Sequence, residues 1–202
     1  MNSFDVALYH FINGLSGHIE VLDAVMIVLA KDAPFLYAML FVTAWFTLPR
    51  TDSKMRHGLV VSALAGVLAL LVNVLISHIW FRPRPFAVLT QGSFHQLIPH
   101  SNDASFPSDH ASGSFAFAFG VYRRGPIWIR RSFLTLAVLV AIARVYVGLH
   151  WPTDVMAGAV VGLFSSMLAW RFEKHVLWIT IIGLRIFRYG GPGTGTIRRV
   201  SS

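Results

Sequence analysis

The chain has 202 residues, a formal net charge of +8 from 17 Lys and Arg against 9 Asp and Glu, and 55% hydrophobic residues. Only 13% are charged, about half the roughly 25% of soluble domains, and mean hydropathy is +0.61. That balance excludes an ordinary soluble enzyme and favours a polytopic membrane protein, while the absence of cysteine excludes disulfides and thiolate metal sites.

In chain order, residues 1–18 lack a basic leader and form an N-terminal amphipathic segment. A spanning helix needs about 20 mainly apolar residues. Six segments meet or approach this: 19–30, 33–48, 57–80, 107–122, 131–147 and 153–170. The first carries Glu20 and Asp23, and the fourth is short and rich in Gly, Ser and Ala. Gly158 and Gly162 in the last offer close helix approach. Residues 176–187 are too short and too basic at their end to span, and read as an interfacial helix. The Gly-rich stretch from 190 reads as a disordered tail. The expected fold is therefore an all-α bundle of six transmembrane helices over 19–172, with 173–202 as interfacial helix and cytoplasmic tail.

Basic residues set the orientation. Arg50, Lys54 and Arg56 follow the second span, and Arg123, Arg124, Arg130 and Arg131 the fourth. Arg171, Lys174, Arg185, Arg188, Arg198 and Arg199 follow the sixth. These are 13 of the 17 Lys and Arg, all on one side. The positive-inside rule then places both termini in the cytoplasm. It also explains the basic balance without a nucleic-acid partner, leaving contact with membrane lipids as its remaining role. Lys31, Arg82, Arg84 and Arg144 lie on the other side, where topology asks for no cations.

Three patches fall on that outer face: Arg82-Pro-Arg84-Pro85-Phe86, Ser105-Phe-Pro107-Ser108-Asp109-His110, and the run from Arg144 through His150 to Asp154. Arginine's planar fork matches phosphate oxygens. A helix start at Ser108–His110 presents unpaired N–H groups to an anion. A neutral imidazole is a competent nucleophile towards phosphorus. Asp154, four residues after His150, would share a helix face with it and fix its ring. His110 can protonate the departing oxygen. No metal or cofactor is needed, since arginines and a helix dipole can hold the equatorial charge. Each patch alone is ordinary, Pro107-Ser108-Asp109 being a common helix cap. Together, on one side of a membrane, they point to phosphoryl transfer.

This arrangement resembles the three-part signature of the type 2 phosphatidic acid phosphatase family: Lys-x6-Arg-Pro, Pro-Ser-Gly-His and Ser-Arg-x5-His-x3-Asp. The resemblance implies that Arg84 and Arg144 bind phosphate and that Ser108 hydrogen-bonds it. It further implies that His110 is the general acid, that His150 forms a phosphohistidine, and that Asp154 orients His150. Asp109 stands for the usual Gly, Ala143 for the usual Ser and Ser77 for the usual Lys. Lys31 or Arg82 is expected to supply the missing cation, Lys31 by preference.

Residues 97–100, 103–110 and Ala30-Lys31-Asp32 are similar to the bacterial undecaprenyl-pyrophosphate phosphatases linked to bacitracin resistance. That branch implies hydrolysis of undecaprenyl pyrophosphate to undecaprenyl phosphate and phosphate, recycling the carrier lipid for cell-wall synthesis. The site would face the periplasm or cell exterior from a bacterial cytoplasmic (inner) membrane, its substrate lying in the outer leaflet. Phosphatidylglycerophosphate, phosphatidate or a lipid A phosphate are alternative substrates for the same chemistry. A non-catalytic transporter or structural protein is disfavoured by the lack of repeats. His95 and His100 flank the site in sequence, where a lesser reading has them shape the pyrophosphate end.

Overall fold

The structure, a computed structural model, describes residues 3–187. The regular elements among these residues are all helical: α1 (Ser3–Asn13), α2 (Glu20–Lys31), α3 (Ala33–Thr47), α4 (Ser53–Ile79), α5 (Pro85–Val88), α6 (Asp109–Tyr122), α7 (Ile127–Tyr146), α8 (Pro152–Arg171), a 3-10 turn (Glu173–Val176) and α9 (Leu177–Ile186). The expected tail from 190 lies outside the described residues.

α4 begins four residues ahead of the expected 57 because Asp52 caps it, its carboxylate accepting from Met55 N at 3.0 Å. Its 27 residues rise about 40 Å, more than a hydrocarbon core of about 30 Å. Arg56, buried at the same end, donates to the carbonyls of Trp45, Leu48 and Pro49 and so satisfies the end of α3.

α6 sits centrally, packed against α4, α7 and α8. Its contact with α8 depends on small residues. A Cβ at Gly158 would lie 2.9 Å from Ala111 Cβ, and one at Gly162 would lie 2.6 Å from Ala116 N. The close approach foreseen for this pair is therefore made to α6. Tyr37, Val121, Ile129 and Phe133 fill the seam between α3, α6 and α7. Outward-facing Val67, Leu70, Leu71 and Leu75 of α4 are exposed, an apolar surface of the kind that meets lipid.

α4 and α8 are each long and apolar enough to cross a membrane; α2 and α3 qualify only as a pair, bent by 75°. The segment expected to cross over 19–30 forms α2, which does not qualify as a span by itself and is held by contacts at both of its ends. Near its start, Asp23 accepts from Tyr146 Oη at 2.8 Å. At its end, Ala30 O accepts from Arg144 Nη1 at 3.0 Å. Tyr146 and Arg144 are neighbours at the end of α7, so α2 keeps both ends at one end of the bundle. Two causes act together: 12 residues rise only about 18 Å, and acidic Asp23 is held by a polar partner.

The outermost described helices, α1 and α9, lie at opposite ends of the bundle. Buried Tyr9 and Asn13 pack α1 into the Arg144 end, with Asn13 Nδ2 donating to Tyr146 O at 2.8 Å. α9 lies at the opposite end, where Gly183 meets Trp45 and Thr180 bonds His57.

Candidate active site

The polar residues lie where α1 and α2 meet the end of α7 and α1 meets the start of α8, and at the ends of α4 and α6 that line the same cavity. α7 delivers Arg144, then the chain turns sharply through Gly148. Gly148 has φ of 84°, and a Cβ there would lie 2.3 Å from His95 O. Glycine alone fits both the backbone angle and the space. The turn brings Leu149 N and His150 N back onto Arg144 O at 3.2 and 3.3 Å.

His150 is 2% exposed. Its Nδ1 lies 2.9 Å from Ser105 O. A carbonyl only accepts, so Nδ1 carries the proton and Nε2 the lone pair. Nε2 is flanked by two donors, Arg84 Nη1 at 3.1 Å and Arg144 Nη2 at 3.0 Å. Burial, then the charges of Arg144 and Arg84, hold the imidazole pKa well below its ordinary value.

The expected shared helix face of His150 and Asp154 is not formed, because α8 starts only at Pro152. Asp154, three residues into the capping turn, reaches back to Trp151 N at 2.8 Å. It also accepts from Ser105 Oγ and, at 2.5 Å, from Arg82 Nη1. Its distance to His150 Nδ1 is 3.6 Å, longer than a hydrogen bond. Ser105 therefore stands between the carboxylate and the ring, holding one by its hydroxyl and the other by its carbonyl.

Arg84 is fixed by Asp103, which accepts from Nε at 2.7 Å, and by Leu149 O, 2.9 Å from Nη1. Burial would raise the Asp103 carboxyl, but Arg84 outweighs it and holds it below the usual carboxylate range. Arg144 is anchored on Ala30 O, and its buried Nε finds no hydrogen-bond partner among the described residues. Arg84, Arg144 and His150 face a cavity also lined by Asn73, Ser77, His100, Asp103, Asp109 and His110. Asn73 Nδ2 donates to Asp109 at 2.8 Å and to Ser112 Oγ at 2.9 Å. Among the described residues no group of three or more His, Asp or Glu is arranged to hold a metal ion.

Four expected site residues thus share the cavity: Arg84, His110, Arg144 and His150. Three are directed elsewhere. Ser108 is fully buried behind the wall, capping α6 through Ala111 N at 3.5 Å. Arg82 points to Asp5, Thr153 and Asp154, since those carboxylates lie on its side of the extended 82–84 segment. Lys31 is exposed at the end of α2 and is not part of the cavity wall. Ser105 opens the second patch but had no role assigned to it, while Asp103 and Asn73 hold positions in the cavity wall that spacing did not single out. Asp103 does lie just ahead of the Ser105–His110 patch, which is the signal that could have found it.

The sequence profile of the PAP2 superfamily matches residues 56–178. The undecaprenyl-diphosphatase BcrC of Bacillus subtilis (strain 168) is 33% identical over 180 residues, covering 89% of this chain and 90% of that protein. The putative undecaprenyl-diphosphatase YbjG of Escherichia coli (strain K12) is 27% identical, covering 88% of each. In fold, the chain is similar to the crystal structure of Aquifex aeolicus LpxE, with a TM-score of 0.68 and 22% identity. That match covers 84% of this chain and 96% of LpxE.

Proposed function

Because the chain belongs to the PAP2 superfamily, we propose that this integral membrane protein hydrolyses undecaprenyl diphosphate through a phosphohistidine on His150. The observation that carries the reading is the unprotonated Nε2 of His150 held between Arg84 and Arg144 in a cavity that His110 also lines. The substrate rests on the relatives, which bear the name undecaprenyl-diphosphatase.

In this mechanism the terminal phosphoryl group takes the place between the two guanidinium groups. Their donors turn from Nε2 to its equatorial oxygens. Nε2 attacks phosphorus, the bond to the bridging oxygen breaks, and His110 gives its proton to the departing lipid phosphate. Water then attacks the phosphohistidine, His110 takes the water's proton, and inorganic phosphate leaves. His100, which lines the cavity along with Ser77, takes the place in the site that the family motif gives to residue 77. It binds the second phosphate, whereas Lys31, expected to supply the missing cation, is not part of the cavity wall.

The membrane arrangement we infer has five crossings, α3, α4, α6, α7 and α8. The site, α1 and α2 lie on the outer face of a bacterial cytoplasmic membrane. The opposite end carries Arg50, Lys54, Arg123, Arg124, Arg130, Arg131, Arg171 and Lys174, as a cytoplasmic face should. The catalytic unit then takes in α1 and does not begin at residue 19.

The test is phosphate release from undecaprenyl diphosphate and from phosphatidate by purified protein in EDTA, for wild type and His150→Ala. Release from the diphosphate that needs His150 supports the reading. Release that survives the substitution removes the nucleophile, and activity on phosphatidate alone changes the substrate.

A further inference from the structure

The N-terminal helix contributes one buried charge. Asp5 is 1% exposed, yet it lies outside the segment matched by the superfamily profile. It accepts from Thr153 N at 2.9 Å, Thr153 Oγ1 at 2.6 Å and Arg82 Nη2 at 2.6 Å. Thr153 N belongs to the first turn of α8, whose N–H groups have no partner within their own helix. Asp5 thus caps α8 from another segment. Tyr9, one turn along α1, packs on Trp151 with ring centroids 5.2 Å apart.

Arg82 carries the connection onward. Its Nη2 is on Asp5 and its Nη1 on Asp154, so the planar guanidinium has one carboxylate on each nitrogen. Its backbone carbonyl accepts from Ser105 N at 2.8 Å. Ser105 in turn binds Asp154 through its hydroxyl and His150 through its carbonyl. An unbroken series of hydrogen bonds runs Asp5, Arg82, Asp154, Ser105, His150.

We propose that Asp5 is a positioning residue of the catalytic site. By holding Arg82 and the first turn of α8, it fixes Asp154 against Ser105, and Ser105 fixes the ring of His150. Asp5 touches no reacting atom. This inference rests on the phosphatase reading above, since it concerns the alignment of His150.

A double-mutant cycle tests it. Phosphate release from undecaprenyl diphosphate and from phosphatidate is measured for wild type, Asp5→Asn, Asp154→Asn and the double variant, with Asp5→Glu as the charge-retaining control. Asp5→Asn should lower kcat roughly ten-fold with KM little changed. In the Asp154→Asn background the same substitution should cost less than about two-fold, because its effect passes through Asp154. Asp5→Glu should recover part of the lost kcat, and the melting temperature of Asp5→Asn in detergent should stay near that of wild type. The inference is overturned by a wild-type kcat in Asp5→Asn, by an equal loss in both backgrounds, or by a loss that follows a fall in melting temperature. A wild-type protein inactive on both lipids overturns the phosphatase reading and this inference with it. An active wild type with an unaffected Asp5→Asn overturns the inference alone.

Discussion

His150 donates a hydrogen bond from Nδ1–H to the carbonyl oxygen of Ser105, 2.9 Å away, and that bond selects the tautomer without help from a carboxylate. Asp154, at 3.6 Å, adds charge and holds Ser105 in place. Asp154→Asn should therefore leave measurable turnover, roughly 10²–10³-fold below wild type, because the tautomer survives. His150→Ala should fall to the level of protein-free controls. Equal loss in both variants, measured as kcat, would show that the Ser105 carbonyl does not hold the ring.

The pH profile follows from the surroundings of His150. Burial and two arginines depress its pKa, so the ring stays neutral and nucleophilic as the medium is acidified. It is lost only when pH falls through the depressed value. The acid limb of kcat/KM should lie clearly below pH 6.5, the ordinary imidazole value of about 6.5. A limb at or above that pH, in buffers spanning pH 4 to about 9 to cover it, would count against the neutral nucleophile.

Leaving-group chemistry distinguishes His110. A departing lipid phosphate is a far weaker base than the alkoxide released from a phosphate monoester, so it needs a proton less. His110→Ala should lower phosphatidate hydrolysis by roughly 10²–10⁴-fold and diphosphate hydrolysis by only about ten-fold. Identical losses on the two substrates would remove His110 from the acid role.

The cation in place of the motif lysine can be identified by a pair of substitutions. His100→Ala should raise KM for the diphosphate several-fold and leave the monophosphate lipid unaffected. Lys31→Ala, outside the cavity, should change neither. A KM effect from Lys31→Ala with none from His100→Ala would reverse the assignment.

Because the chain has no cysteine, single cysteines report topology cleanly. His18→Cys, beyond α1, should react with an impermeant maleimide in cells whose cytoplasmic membrane is sealed and whose outer surface is open to the reagent. Lys174→Cys, past α8, should react only after lysis. If both react only after lysis, the six-crossing arrangement is restored.

Much of the site was legible because phosphate chemistry asks for rare residues in an apolar chain. Arg84, His110, Arg144 and His150 are conspicuous against a membrane sequence, and each lines the cavity. Arg82 and Arg84 could not be told apart, since two arginines in one extended Pro-flanked segment differ only in what lies opposite. Asp5 opposes the first and Asp103 the second. Asp5 itself, a lone acid in an amphipathic helix, gave no local signal; its partners Arg82 and Thr153 are 77 and 148 positions away. The helices were largely found from apolar runs, α3 most closely and α8 within one residue at each end. The path of α2 was not legible because composition records apolarity, whereas that path is set by Tyr146 and Arg144 bonding at its two ends.

α4 presents Asn73 and Ser77 to the cavity, while Leu70, Leu71 and Leu75, within a turn of them, are exposed on its outer surface. One wall therefore borders two media, and the two products part company across it. Inorganic phosphate escapes into water, while the lipid drifts away in the plane of the bilayer and never dissolves. Inhibition by the lipid product should accordingly follow its mole fraction among the surrounding lipids, and diluting the vesicles should not relieve it.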